Sequence, residues 1–291
     1  MQAAPVHLAG GEHACLLVHG LAGSPLEVRF IGKLLQRAGF SVYIPVIPGD
    51  SMGSEPLPWQ RWRDEIARIF ADLRARHDTV SVGGLSSGAT LALTLAETVP
   101  GIQALALWAV TLYYDGWAIP WYRSLFEPAY RLGFGRFYGY REAEPYGLKN
   151  ERWRARVAEA MRAHKASTAG PALIPSDFLF QSILMGRYAV SHLHRVTCDT
   201  VVLHAADDET ASPRNADEVF AGIRSVHKRR LMLGDSYHII TMDNERDLVA
   251  RETIRFFQQS ILRVRPQLPL ALVSSARALL RLQRRRAARG G

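Results

Sequence analysis

A serine, a group of acidic residues and a histidine occur at separate points of the chain, each directly after a predicted strand. The serine is Ser86, in the sequence Gly-Leu-Ser-Ser-Gly at residues 84–88, between the β-branched run from Thr79 and an Ala/Leu-rich segment. A G-x-S-x-G sequence where a strand passes into a helix is typical of a nucleophile elbow, which exposes the hydroxyl of its central serine. A turn with no chemical role can have the same letters, so the context must decide.

A nucleophilic serine needs a general base, and the base needs an acid to orient it. Asp207, Asp208 and Glu209 directly follow the apolar run TVVLHA. His238 lies in the loop between the run KRRLML and the last predicted helix. This order predicts a triad of Ser86, an acid and His238, each at the end of a strand. The residues alone leave Asp207 and Asp208 nearly even as the acid.

The segment LLVHGLAGSP adds a fourth element of a catalytic site. A strand that ends at His19 and Gly20 can turn so that the backbone amide of Leu21 points at the nucleophile. Together with the amide of Ser87, it would form an oxyanion hole, which stabilises the charge of a tetrahedral intermediate. His19 is a rival base by residue type, but its place beside the turn favours a structural hydrogen-bonding role. His204 lies within a predicted strand and is expected to be a core or strand-end histidine.

Strands and helices alternate around these residues. The first helix is expected to begin at Pro25, with Ser24 as N-cap and Gly39 just past its end. Short apolar strands separated by amphipathic helices predict a mostly parallel sheet with helices on both faces. The expected strands are ACLLVH, SVYIPV, TVSVG, IQALALW, TVVLHA and KRRLML, and the last helix is expected from Asn244 to about Ile261.

The alternation stops between about residues 111 and 190, where aromatic residues, Gly and Pro replace apolar strands. We interpret this segment as a cap of helices and loops inserted over the C-terminal edge of the sheet. The predicted domains are a discontinuous core (1–110 and 191–262), a cap (111–190) and a tail (263–291). Ligand sites are mostly apolar and aromatic, so some cap aromatics are expected to line a pocket. These aromatics are Tyr113, Tyr114, Trp117, Trp121, Tyr122, Phe126, Tyr130, Phe134, Phe137, Tyr138 and Tyr140.

Four segments carry a family resemblance: CLLVHGLAGSP, VGGLSSGATLAL, LHAADDETASPRNADEVF and GDSYHIITMDNERDLVARETIRFF. They resemble the corresponding segments of bacterial monoacylglycerol lipases and related carboxylesterases of the α/β-hydrolase superfamily. The resemblance covers roughly residues 14–261 and is weak across the cap. It implies the α/β-hydrolase fold, Ser86 as nucleophile, His238 as general base and Asp208 as the acid. It also implies the amides of Leu21 and Ser87 as oxyanion donors.

The expected function is that of a serine hydrolase that cleaves carboxylic (acyl) esters through an acyl-enzyme on Ser86, as a carboxylesterase or monoacylglycerol-type lipase. An acyltransferase or thioesterase that acts on a biosynthetic acyl group would use the same triad. A non-catalytic binding protein is disfavoured by the intact set of residues. Neither a cofactor nor a metal is expected: the two cysteines, Cys15 and Cys198, are too few for a zinc site, and GGLSSGAT lacks the lysine of a phosphate-binding loop.

The basic charge of the chain is concentrated at its C-terminal end. The net charge is +9, and eight arginines with no acidic residue lie from Arg263 onwards, which leaves +1 for the rest. A basic face for nucleic acid is therefore disfavoured. Leu272, Ala276, Leu279 and Leu280 lie at helical spacing in this tail, which could contact an anionic membrane surface, or remain solvated or pack on the body.

With no apolar run of about eighteen residues and no signal peptide, a cytoplasmic location is expected.

Overall fold

The computed structural model describes residues 4–265 of the 291-residue chain. The strands of this part are β1 (Val6–Leu8), β2 (His13–Val18), β3 (Ser41–Ile44), β4 (Thr79–Leu85), β5 (Ile102–Trp108), β6 (Gly139–Arg141), β7 (Ala166–Ser167), β8 (Gly170–Pro171), β9 (Leu173–Pro175), β10 (Asp199–Ala205) and β11 (Lys228–Leu233). The α-helices are α1 (Arg29–Arg37), α2 (Trp59–Arg74), α3 (Ser87–Thr98), α4 (Phe126–Arg131), α5 (Glu151–His164), α6 (Ser176–His192), α7 (Arg214–Gly222) and α8 (Arg246–Val264).

Seven of these strands form one sheet in the order β1-β3-β2-β4-β5-β10-β11. All neighbouring strands in it are parallel except β1, which pairs antiparallel with β3. The C-terminal ends of β2, β4, β5, β10 and β11 therefore meet at one edge of the sheet. The prediction of a mostly parallel sheet is confirmed.

Helices cover both faces of the sheet, as the sequence predicted. Side chains alternate along a strand, so Leu16 and Leu17 of β2 point to opposite faces and belong to separate hydrophobic clusters. The cluster that contains Leu16 packs against α2, α3, α6 and α7, and the cluster that contains Leu17 packs against α1, α5 and α8. All six residues of β2 are buried, which explains its continuous apolar sequence.

The first helix differs from its prediction. Ser24 accepts a hydrogen bond from the amide of Leu26, as an N-cap does, but only a short 3₁₀ turn (Pro25–Glu27) follows it. The α-helix α1 begins anew at Arg29, after Val28. The buried Glu27 carboxylate accepts a hydrogen bond from the Gly20 amide at 2.7 Å, so this turn is held against the loop before it.

Several short strands were not predicted. β1 has only three residues, too few to show an alternating pattern. The segment between β5 and β10 contains α4, α5 and α6, but also two small antiparallel pairs, β6 with β9 and β7 with β8. The segment thus contains the expected helices and loops and, in addition, two short antiparallel strand pairs that the sequence did not predict. The division of the chain into core and cap domains stays a prediction.

The predicted tail begins inside the last helix. Arg263 lies in α8 and pairs with Asp199, and Arg265 pairs with Asp78 at 3.1 Å. Residues 266–291, with the predicted amphipathic helix, lie outside the described residues. In the part of the chain from 4 to 265, no helix has the length and apolar character that a membrane span requires. Cys15 is buried and Cys198 is half-buried, and neither forms a disulfide.

Candidate active site

The turn between β4 and α3 holds Ser86 in a conformation that is rare for a residue with a side chain. Its φ is +57° and its ψ is −122°. At two positions near this turn the backbone comes so close to other backbone atoms that a side chain would not fit. A Cβ atom on Gly84 would lie 2.2 Å from the Gly88 carbonyl oxygen, and one on Gly88 would lie 2.1 Å from the His19 carbonyl oxygen. Gly84 thus permits the close approach within the elbow, and Gly88 lets the elbow lie directly against the end of β2.

The three side chains predicted to act together form one chain of hydrogen bonds. His238 Nδ1 lies 2.8 Å from Asp208 Oδ2, and His238 Nε2 lies 2.8 Å from Ser86 Oγ. Because a carboxylate only accepts hydrogen bonds, Nδ1 donates to Asp208 and Nε2 is left to accept from the Ser86 hydroxyl. Asp208 follows β10 and His238 follows β11, so the C-terminal edge of the sheet brings all three together.

The structure distinguishes the two aspartates that the residues alone left even. The side chain of Asp208 is fully buried and that of Asp207 is 59% exposed, paired with Lys149 at 3.1 Å. Asp208 Oδ1 also accepts hydrogen bonds from the amides of Thr210 (2.9 Å) and Ala211 (2.8 Å). Burial raises the pKa of Asp208, but His238, His204 and the Ala211 amide together lower it more, so it lies below its ordinary value.

His204 lies beneath the acid. Its Nε2 is 2.8 Å from the Ala211 carbonyl oxygen and 3.3 Å from Asp208 Oδ2. Burial lowers the pKa of His204 more than Asp208 raises it. A neutral, fully buried imidazole that donates to the Ala211 carbonyl packs beside Asp208, and it agrees with the expected core position of this histidine.

The imidazole of His238 lies among several carboxyl groups. Burial lowers the pKa of this imidazole, but Asp208, Glu209 and Glu142 raise it by more, so that it lies at about 9. Glu209 also accepts a hydrogen bond from the backbone amide of His238 at 3.0 Å. The surroundings therefore stabilise the imidazolium form, which a general base adopts after it takes a proton.

The loop after β2 leaves one backbone amide available. The amide of Gly20 donates to Glu27 and that of Ala22 donates to Asp50 Oδ1 at 3.3 Å. The amide of Leu21, between them, donates no hydrogen bond to another described residue. Leu21 lines the same cavity as Ser86. Ser87 is the first residue of α3, where an amide has no acceptor within the helix.

His19 takes part in this loop and not in the hydrogen-bond chain of Ser86. Its Nδ1 lies 2.8 Å from the Gly20 carbonyl oxygen, and its Nε2 lies 2.9 Å from Ser51 Oγ. The side chain is fully buried, which lowers its pKa to about 4 despite the raising effect of the Gly20 carbonyl. His19 is therefore neutral at ordinary pH and connects the loop after β2 to the loop after β3.

A cavity of about 430 Å³ opens beside Ser86 and His238. Most of its wall is apolar and comes from the segment between β5 and β10. Ile119, Leu125, Ile174, Leu179 and Ile183 are among its aliphatic residues. The aromatic residues of the predicted set that line it are Tyr114, Tyr122, Phe126, Phe134, Tyr138 and Tyr140. Trp117 is not part of this wall, and its ring meets that of Tyr237 edge to face.

Thr111, Glu27 and Glu142 lie at the site but were not predicted, and Glu209 was expected only as one of the acidic residues after β10. Thr111 follows β5 and places its hydroxyl 3.2 Å from Ser86 Oγ. Glu27, Glu142 and Glu209 line the cavity. Thr111 follows a strand that ends at the same sheet edge, and this position could have indicated it, whereas Glu27 and Glu142 belong to no such pattern. Within residues 4–265, no cluster of three His, Cys, Asp or Glu side chains is arranged to hold a metal.

Known proteins are similar to this chain over most of its length. The model of the family described as "Serine aminopeptidase, S33" matches residues 11–245. The thermostable monoacylglycerol lipase of Bacillus sp. (strain H-257) is 27% identical over 261 residues, which cover 88% of this chain and 94% of that protein. The carboxylesterase of Bacillus subtilis (strain 168) is 21% identical over 259 residues, which cover 88% and 96%.

Solved structures show the same fold. The crystal structure of Paleococcus ferrophilus monoacylglycerol lipase superposes with a TM-score of 0.73 at 18% sequence identity, covering 89% of this chain and all (100%) of that one. The resemblance inferred from the sequence is confirmed. With its parallel sheet and with a family model that matches most of its length, the chain belongs to the S33 family of α/β-hydrolases and is a serine hydrolase.

Proposed function

We propose that this enzyme hydrolyses carboxylic esters through an acyl-enzyme on Ser86. One observation carries the proposal: an unbroken chain of hydrogen bonds from Asp208 through His238 to Ser86, at the wall of an apolar cavity. A weak nucleophile such as a serine hydroxyl is activated by a base that a third group orients, and these three residues have that relation.

In the acylation step, Ser86 Oγ attacks the acyl carbon of the ester while His238 Nε2 takes the hydroxyl proton. Asp208 holds the tautomer with Nδ1 protonated and stabilises the imidazolium. The carbonyl oxygen becomes an oxyanion, which accepts hydrogen bonds from the amides of Leu21 and Ser87. Loss of one such donor typically costs about 10²–10³-fold in kcat.

The intermediate then collapses. The bond to the alcohol oxygen breaks, His238 gives its proton to that oxygen, and the alcohol leaves with the acyl group bound to Ser86. In the second half, His238 takes a proton from water, which attacks the same carbon. The acid is released when Ser86 Oγ takes back a proton from His238, which restores the starting state.

The cavity favours an apolar acyl group. Aliphatic and aromatic side chains form most of its wall, and burial of each CH₂ in such a wall contributes about 0.8 kcal/mol. The similar proteins are named as a monoacylglycerol lipase and a carboxylesterase, which supports esters of this kind as substrates. We therefore infer a carboxylesterase or a monoacylglycerol-type lipase as the finer function.

A series of p-nitrophenyl esters from short to long acyl chains tests this function. Wild-type protein is expected to hydrolyse them, and Ser86→Ala to lose at least about 10³-fold in kcat because the nucleophile is absent. Ser191→Ala, which removes an exposed hydroxyl on α6, is the matched control and keeps the activity. Transfer of the acyl group to an added alcohol in place of hydrolysis would contradict the proposal and favour an acyltransferase.

We further infer that residues 266–291 contact anionic membrane surfaces. The basis is the sequence: six arginines without an acidic residue, and leucines at helical spacing. Basic amphipathic segments bind at such surfaces through apolar burial and attraction to anionic lipids. Contact of this kind would bring lipid esters to the active site.

A further inference from the structure

The amide of Leu21 has no acceptor among residues 4–265, and carboxyl groups hold the amides on both sides of it. The Gly20 amide donates to Glu27 Oε2 at 2.7 Å, and the Ala22 amide donates to Asp50 Oδ1 at 3.3 Å. An amide that is kept for an oxyanion cannot fix its own direction through a hydrogen bond in the resting enzyme. Its direction therefore depends on the peptide groups before and after it, which these two carboxyl groups bind.

Glu27 fills the inside of the turn that these residues form. The Gly23 amide donates to the Gly20 carbonyl at 3.0 Å, which closes the turn around Leu21 and Ala22. Ala22 has a φ of +51°, in the left-handed region that residues with a side chain rarely adopt. A Cβ atom on Gly23 would lie 2.1 Å from Glu27 Oε1, so glycine at this position leaves the room that the carboxyl group occupies. The conformation of the turn is thus fitted to the Glu27 side chain.

Asp50 holds the opposite side of the turn from the loop after β3. Its side chain is fully buried, and the Ala22 amide is its one hydrogen-bond partner among the described residues, since Oδ2 has none. Burial of a carboxyl group costs free energy unless it is paired, and one hydrogen bond offsets only part of this cost. The Met52 amide of the same loop donates to the Gly23 carbonyl at 2.8 Å, so the two loops are already joined without Asp50. This leaves the direction of one peptide group as the contribution of the Asp50 side chain.

Neither carboxyl group needs to place a negative charge beside the oxyanion. Burial raises the pKa of Glu27 to about 7 and that of Asp50 well above its ordinary value. A protonated carboxyl group still accepts a hydrogen bond through its carbonyl oxygen. Both groups can therefore hold the turn in their uncharged form, which does not oppose the negative charge of the intermediate.

The turn lies directly against the nucleophile. A Cβ atom on Gly20 would lie 3.7 Å from the Cβ atom of Ser86 and 3.1 Å from Glu27 Oε2. Glu27 and Leu21 line the same cavity as Ser86. The hydrogen bond of Glu27 is thus one residue away from the Leu21 amide and next to the reacting group. Misplacement of a catalytic group by about 1 Å can cost about 10²-fold in rate, even where the substituted residue does not touch the substrate.

We propose that Glu27 and Asp50 are positioning residues, which hold the turn of residues 20–23 so that the Leu21 amide points at the oxyanion. The proposal rests on the acyl-enzyme mechanism and the oxyanion hole inferred above, and it adds the groups that place one of the two donors. The oxyanion exists only in the transition state and the intermediate. Loss of either carboxyl group should therefore lower kcat and leave KM unchanged.

The test compares two substitutions of the same residue. Glu27→Gln keeps a carbonyl oxygen for the Gly20 amide, whereas Glu27→Met keeps the length of the side chain and removes the acceptor. For a p-nitrophenyl ester, Glu27→Met should lower kcat by at least about tenfold at an unchanged KM, and Glu27→Gln should stay within about threefold of wild type. Glu97→Gln and Glu97→Met are the matched controls and should keep the wild-type kcat. Glu97 is likewise buried, with a pKa that burial raises to about 8, but it lies at the end of α3 that is far from Ser86.

A trifluoromethyl ketone gives a second measurement that needs no turnover. Ser86 Oγ adds to its carbonyl carbon, and the oxygen of the resulting hemiketal occupies the place of the oxyanion, as in a transition-state analogue. The affinity for this ketone, measured by fluorine NMR, should fall in Glu27→Met by the same factor as kcat/KM. If wild-type protein binds the ketone on Ser86 but hydrolyses no ester, the proposed function fails, while the ketone affinities of the Glu27 variants still decide whether Glu27 positions the donor.

Three results would overturn the positioning role. A lower Tm of Glu27→Met with wild-type kcat and ketone affinity would show that the carboxyl group serves only the fold. Equal losses in Glu27→Met and Glu27→Gln, or a rise in KM at constant kcat, would show that acceptance from the Gly20 amide does not place the donor. If Glu27→Met does not fold, Asp50→Leu and Asp50→Asn give the same comparison at the Ala22 amide. A loss of kcat confined to Asp50→Leu then supports the proposal, and equal activity of the two variants contradicts it.

Discussion

In the proposed mechanism His238 must be neutral to take a proton from Ser86, yet its neighbours favour its charged form. Burial lowers the pKa of His238, but Asp208, Glu209 and Glu142 together raise it to about 9, above the ordinary value of 6.5. The fraction of neutral imidazole therefore increases as the pH rises towards this value. The same carboxylates stabilise the imidazolium that forms as Ser86 attacks, so they favour the transition state at the cost of a higher working pH.

The first prediction concerns pH and the choice of acid. For an uncharged ester, kcat/KM should rise with pH, with a midpoint above 6.5 and up to about 9, because the base is active only when deprotonated. Asp208→Asn should lower kcat by about 10⁴-fold, since the imidazole loses its orientation and its stabilising charge. Asp207→Asn, on the exposed neighbour, should change kcat little. A midpoint at or below 6.5, or equal losses in both variants, would contradict this account.

The second prediction concerns Thr111, whose hydroxyl lies 3.2 Å from Ser86 Oγ and 3.2 Å from the Ala109 carbonyl oxygen. Thr111→Val keeps the shape and removes the hydroxyl, so kcat should fall by about 2- to 10-fold, the value of one ordinary hydrogen bond. Thr111→Ser should restore most of it. If valine leaves steady-state kinetics unchanged, the contact does not help to position the nucleophile.

Single residues of the site differ in how far the sequence could predict them. Ser86 and His238 each follow an apolar strand. Because the C-terminal ends of parallel strands lie at one edge of a sheet, both residues could be predicted to lie there. Asp208 could not be separated from Asp207 by the residues alone, because only the direction of each side chain distinguishes them. Glu142 belongs to no motif and lies in a segment without regular periodicity, so its place in the cavity depends on tertiary packing.

At the scale of elements, the elbow depends on two surfaces in contact: the start of α3 and the end of β2. Gly88 lies so close to the His19 carbonyl that a Cβ atom would be 2.1 Å from the oxygen. That carbonyl belongs to the backbone and cannot turn away as a flexible side chain can. The same contact holds the Leu21 loop near the amide of Ser87. A change that weakens it should therefore affect both the stability of the fold and the positions of the two proposed oxyanion donors.

The third prediction follows from this contact. Gly88→Ala should lower the free energy of unfolding by about 1–3 kcal/mol and reduce kcat, because the elbow must move away from β2. Gly234→Ala is the matched control, since a Cβ atom there meets no atom within 4 Å. Thermal unfolding and ester hydrolysis on the same samples give both readings. Wild-type Tm and kcat in Gly88→Ala would show that this contact is not needed.

Elements with a strong periodic or apolar pattern were predicted well, and short ones were not. All the strands that carry Ser86, Asp208 and His238 were expected from their apolar runs. The first helix was expected to be continuous, but the buried hydrogen bond from Gly20 to Glu27 holds its first turn apart. β1, β6 and β9 have three residues each, and pairing with partners far along the chain creates them.

At the scale of the whole molecule, the order of the sheet explains the site. β4 lies between β2 and β5, so Ser86 emerges with the Leu21 loop on one side and Thr111 on the other. β10 and β11 follow β5 and bring Asp208 and then His238 to the same edge. The segment between β5 and β10 covers this edge and supplies most of the cavity wall.

The fourth prediction concerns the C-terminal residues. A protein that ends at Arg265 should keep the ion pair of Arg265 with Asp78 and hydrolyse soluble esters as the full chain does. It should lose co-sedimentation with vesicles of anionic lipid, because six arginines are removed and each contributes about 1 kcal/mol near such a surface. Vesicles of zwitterionic lipid are the control. Equal binding of the full and shortened chains to anionic vesicles would rule out the proposed contact.

The most direct test of the account is to identify the residue that becomes covalently modified. A fluorophosphonate reacts with an activated serine, and mass spectrometry of the digested protein locates the adduct. We expect one equivalent of label on the peptide that contains Ser86, loss of ester hydrolysis in parallel, and no label on Ser86→Ala. Label on another residue, or full ester hydrolysis after Ser86 is labelled, would contradict it.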